Sequence, residues 1–294
     1  MSIPHIFLWL TACIWGFAFV AQSTAMDDIG PHTFNAVRFL LATLSLIPLL
    51  MLFKTSQTYD FKKLLICGTG AGTVIFCGFT FQQIGLLYTT AGNAGFITSM
   101  YIVFVPLMGL LFKQTIDRLA WMGIGVALVG FYTLTVGPNL SINKGDALEL
   151  VGTLFWTSHV LLIGYLSRSL PALPLSIAQF AVATILATIT AFVFETPTIA
   201  GISAAWWPLV YAGVASSGIA FTLQTLGQRK VIPSTAALIL SMEAVFAVIG
   251  GWLFMGELLT SQALFGCGLI FTGMIVSQWP RNKAKLTSAE QQPL

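Results

Sequence analysis

Residues 79–85 read FTFQQIG, and residues 221–227 read FTLQTLG. Four of the seven positions are identical, and Phe81/Leu223 and Ile84/Leu226 exchange one apolar side chain for another. Each copy carries an amide, Gln82 or Gln224, inside an apolar stretch. An amide buried without a partner costs about 1–3 kcal/mol on mutational scales. Two such amides at corresponding places call for a common reason.

The correspondence extends along the chain. A shift of 141 carries Trp15 onto Trp156 and NAVRFLLAT (35–43) onto SIAQFAVAT (176–184). A shift of 142 carries AGFITSMYIVFV (94–105) onto AALILSMEAVFA (236–247). A shift of 143 carries Gly123, Gly125 and Gly130 onto Gly266, Gly268 and Gly273. Four segments agree in order and at a nearly constant offset, which marks an internal duplication.

Composition gives the environment of that duplication. The chain is 56% hydrophobic and 8% charged, against roughly a quarter charged in soluble domains. A bilayer core asks for about 20 apolar residues per helix. Ten stretches meet that length: about 6–26, 33–53, 64–87, 93–112, 119–136, 147–167, 173–194, 206–227, 233–254 and 262–279. The expected fold class is therefore an all-α integral membrane protein of ten transmembrane helices. Residues 1–140 and 141–280 form two five-helix repeats, followed by a short tail at 281–294. Five is odd, so the second repeat enters the membrane from the opposite side. Two halves of inverted topology are the mark of a secondary transporter that binds its substrate near mid-membrane.

With the first residues inside, Lys54, Lys62, Lys63, Lys113, Arg118, Arg168, Arg229, Lys230, Arg281, Lys283 and Lys285 face the cytoplasm, and Lys144 alone faces out. The asymmetry places both termini in the cytoplasm. The first apolar stretch has no preceding Lys or Arg and an internal counterpart, so it reads as a retained helix rather than a cleaved leader. Cys13, Cys67, Cys77 and Cys267 all fall inside spans, without a CxxC pair, and read as packing residues.

The stretches CIWGFAFV (13–20), VRFLLATL (37–44) and STAALILSMEAVFAVIGGWLFMGELLT (234–260) resemble the EamA-type branch of the drug/metabolite transporter superfamily. The resemblance implies a cavity lined by the first, third and fourth helices and their mates, the sixth, eighth and ninth. It also implies a metabolite as cargo, often moved outward. Where such chains commonly have a proline after the ninth-helix glutamate, Ala244 stands here; the first-half position is Ile102, with Pro106 four residues on. The helix kink is therefore expected elsewhere.

Charges inside lipid spans cost about 2.5–3.5 kcal/mol on insertion scales and mark functional candidates. Three lie well inside: Arg38, His159 and Glu243. Glu243 is expected near mid-depth, opposite Tyr101 in the repeat, where it binds a substrate ammonium or carries a coupling proton. His159 replaces Ala18 of the first half and shares a face with Trp156. Arg38 is expected to be structural, satisfying carbonyls or reaching outward. With Trp15, Phe79, Gln82, Gln83, Tyr101, Trp156 and Gln224, His159 and Glu243 make the expected substrate-binding set. Phe81, Tyr88 and Phe221 belong to the same candidate helices. Of the two repeated amides, Gln82 is expected to be the stronger contact, because Gln83 follows it.

The function these features imply is secondary or facilitative transport of a small polar or amphipathic metabolite, an amino acid before a nucleobase or a drug-like cation. Export is implied by the family resemblance. A membrane-embedded enzyme is the rival class, but the chain has no HExxH and no paired acids on one helix face; Asp27-Asp28 is a loop pair. No cofactor, metal, nucleic acid or ATPase domain of its own is expected. The partners are the small-molecule substrate and the lipid of an inner, cell membrane. Monomer and homodimer are both compatible with the sequence.

Overall fold

The computed structural model describes residues 2–52, 58–111, 118–135, 144–256 and 261–277; the tail expected at 281–294 lies outside them. Every regular element among the described residues is helical. Eight spans are long and apolar enough to cross a bilayer: Ile3–Ala25, Pro31–Leu52, Phe61–Gly85, Ala91–Leu111, Lys144–Leu166, Ala172–Phe194, Trp206–Gln228 and Pro233–Met255. Two shorter helices, Arg118–Thr135 and Ser261–Ser277, stand as the fifth and tenth. A short surface helix, Ile199–Ala204, precedes the eighth.

Local chemistry sets the helix ends. Pro4 and Pro233 sit in the first turns of the first and ninth spans, where a missing N–H costs nothing. The Asp60 carboxylate accepts from the Lys62 and Lys63 amides at the start of the third span. The Thr90 hydroxyl accepts from the Asn93 amide at the start of the fourth. Gly256, at φ +69°, ends the ninth. At one end of the bundle, the Glu195 carboxylate accepts from the His32 and Thr33 amides at 2.8 Å, tying the end of the seventh span to the start of the second.

The fourth and ninth spans are each broken, at Met100 and at Ser241–Met242. These are repeat mates. Three-residue bonds replace four-residue ones there: Met100 N–H reaches the Ile97 carbonyl at 3.0 Å and Met242 N–H the Ile239 carbonyl at 3.2 Å. The second-half break forms with no proline in the ninth span's interior, so the kink is a property of the shared S-M segment. The eighth span carries a π-helix over Tyr211–Ala220, while its mate in the third is regular α.

The mates meet one another. Phe39 faces Phe180 at 5.9 Å between ring centroids, and Phe79 faces Phe221 at 5.8 Å. Ser99 Oγ donates to the Ser241 carbonyl at 3.4 Å. A Cβ on Gly130 would sit 2.7 Å from the Gly266 carbonyl oxygen, and one on Gly273 would sit 2.5 Å from that of Gly123. Contacts that exchange partners under the repeat define a pseudo-two-fold axis through the centre of the bundle, as an inverted repeat requires. Polarity is inverted too. Leu111, Phe192 and Ile199 are exposed, while Gln22, Arg38, Gln82, His159, Gln224 and Glu243 are buried.

Candidate functional site

A cavity lies on that axis. Trp15, Ala18, Phe19 and Gln22 of the first span line it, with Phe79 and Gln82 of the third and Thr98 and Tyr101 of the fourth. Trp156, His159 and Val160 of the sixth, Ser216, Phe221 and Gln224 of the eighth, and Glu243 of the ninth complete it. Arg38 enters from the second span. Apart from Arg38, the walls come from the six helices that the family resemblance implies. The free space is about 30 Å³, room for one or two waters. That space is smaller than a metabolite, so a cargo held here needs the walls to move apart.

The walls are aromatic. Phe79 stands edge-to-face with Trp156 at 4.5 Å, and Trp15 packs on Phe221 at 4.6 Å. The Arg38 guanidinium carbon lies 3.7 Å from the centre of the Phe79 ring, close enough for a cation–π contact. Arg38 does not reach outward; the oxygens it satisfies are two serine hydroxyls and one side-chain amide carbonyl. It is 1% exposed. It donates from Nε to Ser217 Oγ at 2.7 Å, from Nη1 to Gln22 Oε1 at 2.8 Å and from Nη2 to Ser216 Oγ at 3.0 Å. The two serines belong to the π-helix, whose widened turn aims both hydroxyls at one guanidinium. Arginine has five N–H donors, so these three bonds leave two.

Glu243 opens the second half-helix of the ninth span, Glu243–Met255, and its mate Tyr101 opens Tyr101–Leu111. Each half-helix turns its positive dipole end toward the axis, while N–H groups of its first turn, such as those of Val103 and Ala244, bond to the Met100 and Ser241 carbonyls at the break. Ser99 Oγ donates to Glu243 Oε1 at 3.5 Å. The Tyr101 hydroxyl lies beside the carboxylate but outside good hydrogen-bond geometry. His159 Nε2 meets Gln179 Oε1 at 3.2 Å; Gln179 is the repeat mate of Arg38.

Several polar atoms on the wall have no protein partner: Tyr101 Oη, Trp156 Nε1, and both Gln224 Nε2 and Oε1. Buried polar atoms are almost always bonded, so these are the groups available to water or cargo. The repeated amides differ here. Gln82 Nε2 donates to Thr98 Oγ1 at 3.0 Å, while Gln224 bonds to nothing. The tryptophans differ in the same sense: Trp15 Nε1 donates to the Ser216 carbonyl at 3.1 Å, and Trp156 Nε1 is unbonded.

Of the sequence-derived set, Trp15, Phe79, Gln82, Tyr101, Trp156, His159, Gln224 and Glu243 come together on the wall. Gln83 does not. It is fully buried and donates to the Gln22 carbonyl at 3.2 Å. Phe81 stacks on Phe155, and Tyr88 is half exposed beneath Lys144 Nζ. Sequence reasoning missed Gln22, Thr98 and Ser216, small polar residues with no pattern of their own. It also passed over Glu149. The sixth helix starts at Lys144, three residues before its expected start at 147. Read from 147, Glu149 is an ordinary first-turn acid; in the structure it is fully buried.

The fold is thus a ten-helix bundle with an inverted repeat, two broken helices and an aromatic-walled cavity on the axis. The EamA-like transporter family matches over residues 2–136 and again over 143–278. The chain belongs to that family, which is a transporter family and not an enzyme family. An uncharacterized transporter of Archaeoglobus fulgidus is 35% identical over 274 residues, covering 92% of this chain and 83% of the relative. The uncharacterized inner membrane transporter YedA of Escherichia coli is 24% identical over 280 residues, covering 90% and 86%. A crystal structure at 16% identity superposes with a TM-score of 0.79 over 95% of this chain and 99% of that one, a likeness of fold.

Proposed function

We propose that the protein carries an amino acid across a cell (inner) membrane by alternating access, both termini facing the cytoplasm and residues 1–140 rocking against 141–280. The observation that carries this reading is the presence of an acid and a base on one aromatic-walled cavity: Glu243 on the ninth span and Arg38 on the second. Glu243 takes the ammonium group. Arg38 takes the carboxylate with its two remaining N–H donors, a geometry in which guanidinium exceeds any neutral donor. On this reading Arg38 binds cargo in addition to the structural role expected from the sequence. Trp156 Nε1 and the Gln224 amide, unbonded on the wall, suit the polar atoms of the cargo, and the aromatic rings suit its side chain. On this reading movement follows a gradient, and export is the direction the family resemblance implies.

Thermal stabilisation of purified protein by a panel of amino acids, nucleobases and quaternary ammonium cations tests the assignment. An amino acid should raise Tm, and Glu243→Gln and Arg38→Gln should each remove that rise. A panel in which only cations stabilise, and Arg38→Gln leaves the effect intact, would replace this reading with a cation carrier.

A further inference from the structure

One helix contact is made twice in the bundle, by the same backbone and by different chemistry. At one end, a Cβ on Gly85 would lie 3.0 Å from Glu149 Oε1 and 3.1 Å from the Gly145 carbonyl. At the other, a Cβ on Gly227 would lie 2.7 Å from Leu8 Cγ and 3.0 Å from the Pro4 carbonyl. Gly85 and Gly227, Glu149 and Leu8, and Gly145 and Pro4 are all repeat mates. One packing slot is thus built twice, and leucine fills it in one copy. The slot itself has no need of a carboxylate.

The carboxylate continues into a line of polar groups. Gln82, on the cavity wall, donates to Thr98 Oγ1 at 3.0 Å, and Thr98 Oγ1 donates to Glu149 Oε2 at 3.3 Å. The mates of these three residues are Gln224, Leu240 and Leu8, so the corresponding line in the other half stops at two leucines, both fully buried. Glu149 Oε1 is buried and has no hydrogen-bond partner. The titratable groups that face Glu149 are Asp146, one turn earlier on its own helix, and Glu243 across the cavity. The third and fourth spans present Gln82, Gly85 and Thr98 to it. Asp146 accepts from Thr89 Oγ1 at 2.7 Å, where the third span gives way to the fourth.

We propose that Glu149 is a proton-binding site, loaded from the outer face past Asp146 and linked to the cargo cavity through Thr98 and Gln82. The ligand is the proton alone: the carboxylate takes one H⁺ to become a carboxylic acid and releases it again, with no other bond made or broken. A protonated Oε1 occupies the position now without a partner, close to the Gly85 backbone. Cargo that draws the Gln82 amide into the cavity removes the donor from the Thr98 oxygen, which weakens the polarised Thr98 O–H bond to Glu149 and so changes what stabilises the Glu149 charge. Proton and cargo are thereby coupled through one hydrogen-bonded residue. Leu8 and Leu240 give the opposite end no such route. The outward direction of loading rests on the topology proposed above; the proton site itself does not depend on the cargo being an amino acid.

The test is infrared difference spectroscopy of the protein reconstituted in lipid, titrated from alkaline to acid pH with no cargo present. The carbonyl-stretch band of a buried carboxylic acid should grow in on acidification. Glu149→Gln and Glu149→Leu should each delete one component of it, the leucine variant folding normally because leucine fills the mate slot. Thr98→Val should shift that component without deleting it. An unchanged band in both Glu149 variants overturns the proposal, as does loss of folding in Glu149→Leu with the band intact in Glu149→Gln. Adding a mixture of the proteinogenic amino acids should then perturb the Glu149 component. A titrating Glu149 band that no amino acid perturbs supports the proton site and counts against the amino acid reading.

Discussion

Glu149 on Gly85 and Leu8 on Gly227 occupy equivalent places in two copies of one structure, yet one is a carboxylate beside a threonine and the other a leucine beside a leucine. The backbone was duplicated and the chemistry was not. The same contrast recurs along the cavity. Trp15 is bonded and Trp156 is not; Gln82 is bonded and Gln224 is not. Arg38 is held by the serines of a π-helix, while its mate Gln179 meets His159. On the reading proposed above, the shared packing is the scaffold that rocks, and the departures from symmetry are where binding and coupling sit. A transporter that alternates between two faces needs both: equivalent packing at the two ends, and unequal groups in between.

The largest expected effect comes from forcing the apolar end to imitate the polar one. Leu8→Glu buries a carboxyl against Pro4, Gly227 and Leu240 with no donor at hand. An uncompensated buried charge costs about 3–5 kcal/mol, so the variant should lose most of its folded yield and show a sharply lowered Tm. A normal melting curve would mean that the two ends are less different than the contacts indicate.

Adding a methyl group at the glycines compares the tightness of the slots directly. Overpacking costs about 1–3 kcal/mol. Gly227→Ala meets Leu8 Cγ at 2.7 Å and should lower Tm more than Gly85→Ala, which meets the end of a flexible glutamate at 3.0 Å. Equal losses would indicate that backbone contact with Pro4 and Gly145, rather than the side chain, sets the limit.

The amides give the smallest change in stability and the clearest division of labour. Gln82→Leu breaks the bond to Thr98 and should cost about 1 kcal/mol. Gln224→Leu removes an amide with no partner and should leave Tm unchanged or raise it, while weakening cargo-induced stabilisation. If Gln224→Leu is the destabilised variant and cargo binding is intact, the free amide is a packing element after all.

Much of this was legible in the sequence because membrane physics and duplication are both read from patterns. Apolar runs of bilayer length located the spans to within a few residues, and the shift of 141–143 made Phe79 and Phe221, and Tyr101 and Glu243, repeat mates that the structure brings to one cavity. The kinks were not located by the sequence, although both helices break at residues that the repeat aligns, Met100 and Met242. What stayed hidden depends on direction around a helix and on exact starts. Gln83 follows Gln82 by one residue, which turns it about 100° away on a 3.6-residue helix, off the cavity wall. Arg38 lies on a helix that runs outside the resemblance's cavity set, and only the π-helix shows which groups hold it. Glu149 was hidden by three residues of helix start. The preference for Gln82 over Gln224 rested on a neighbouring side chain that points elsewhere.

Counterflow in proteoliposomes tests the central claim most directly. Vesicles are loaded with one unlabelled amino acid at a time, and the entry of a labelled trace of the same compound is followed. The account predicts saturable, accelerated entry for at least one amino acid. It also predicts that Glu243→Gln lowers the rate at least about tenfold, about 1.4 kcal/mol of lost interaction, in protein that still melts as a folded species. Accelerated entry of an organic cation but of no amino acid, or amino acid counterflow indifferent to both Glu243→Gln and Arg38→Gln, would contradict it.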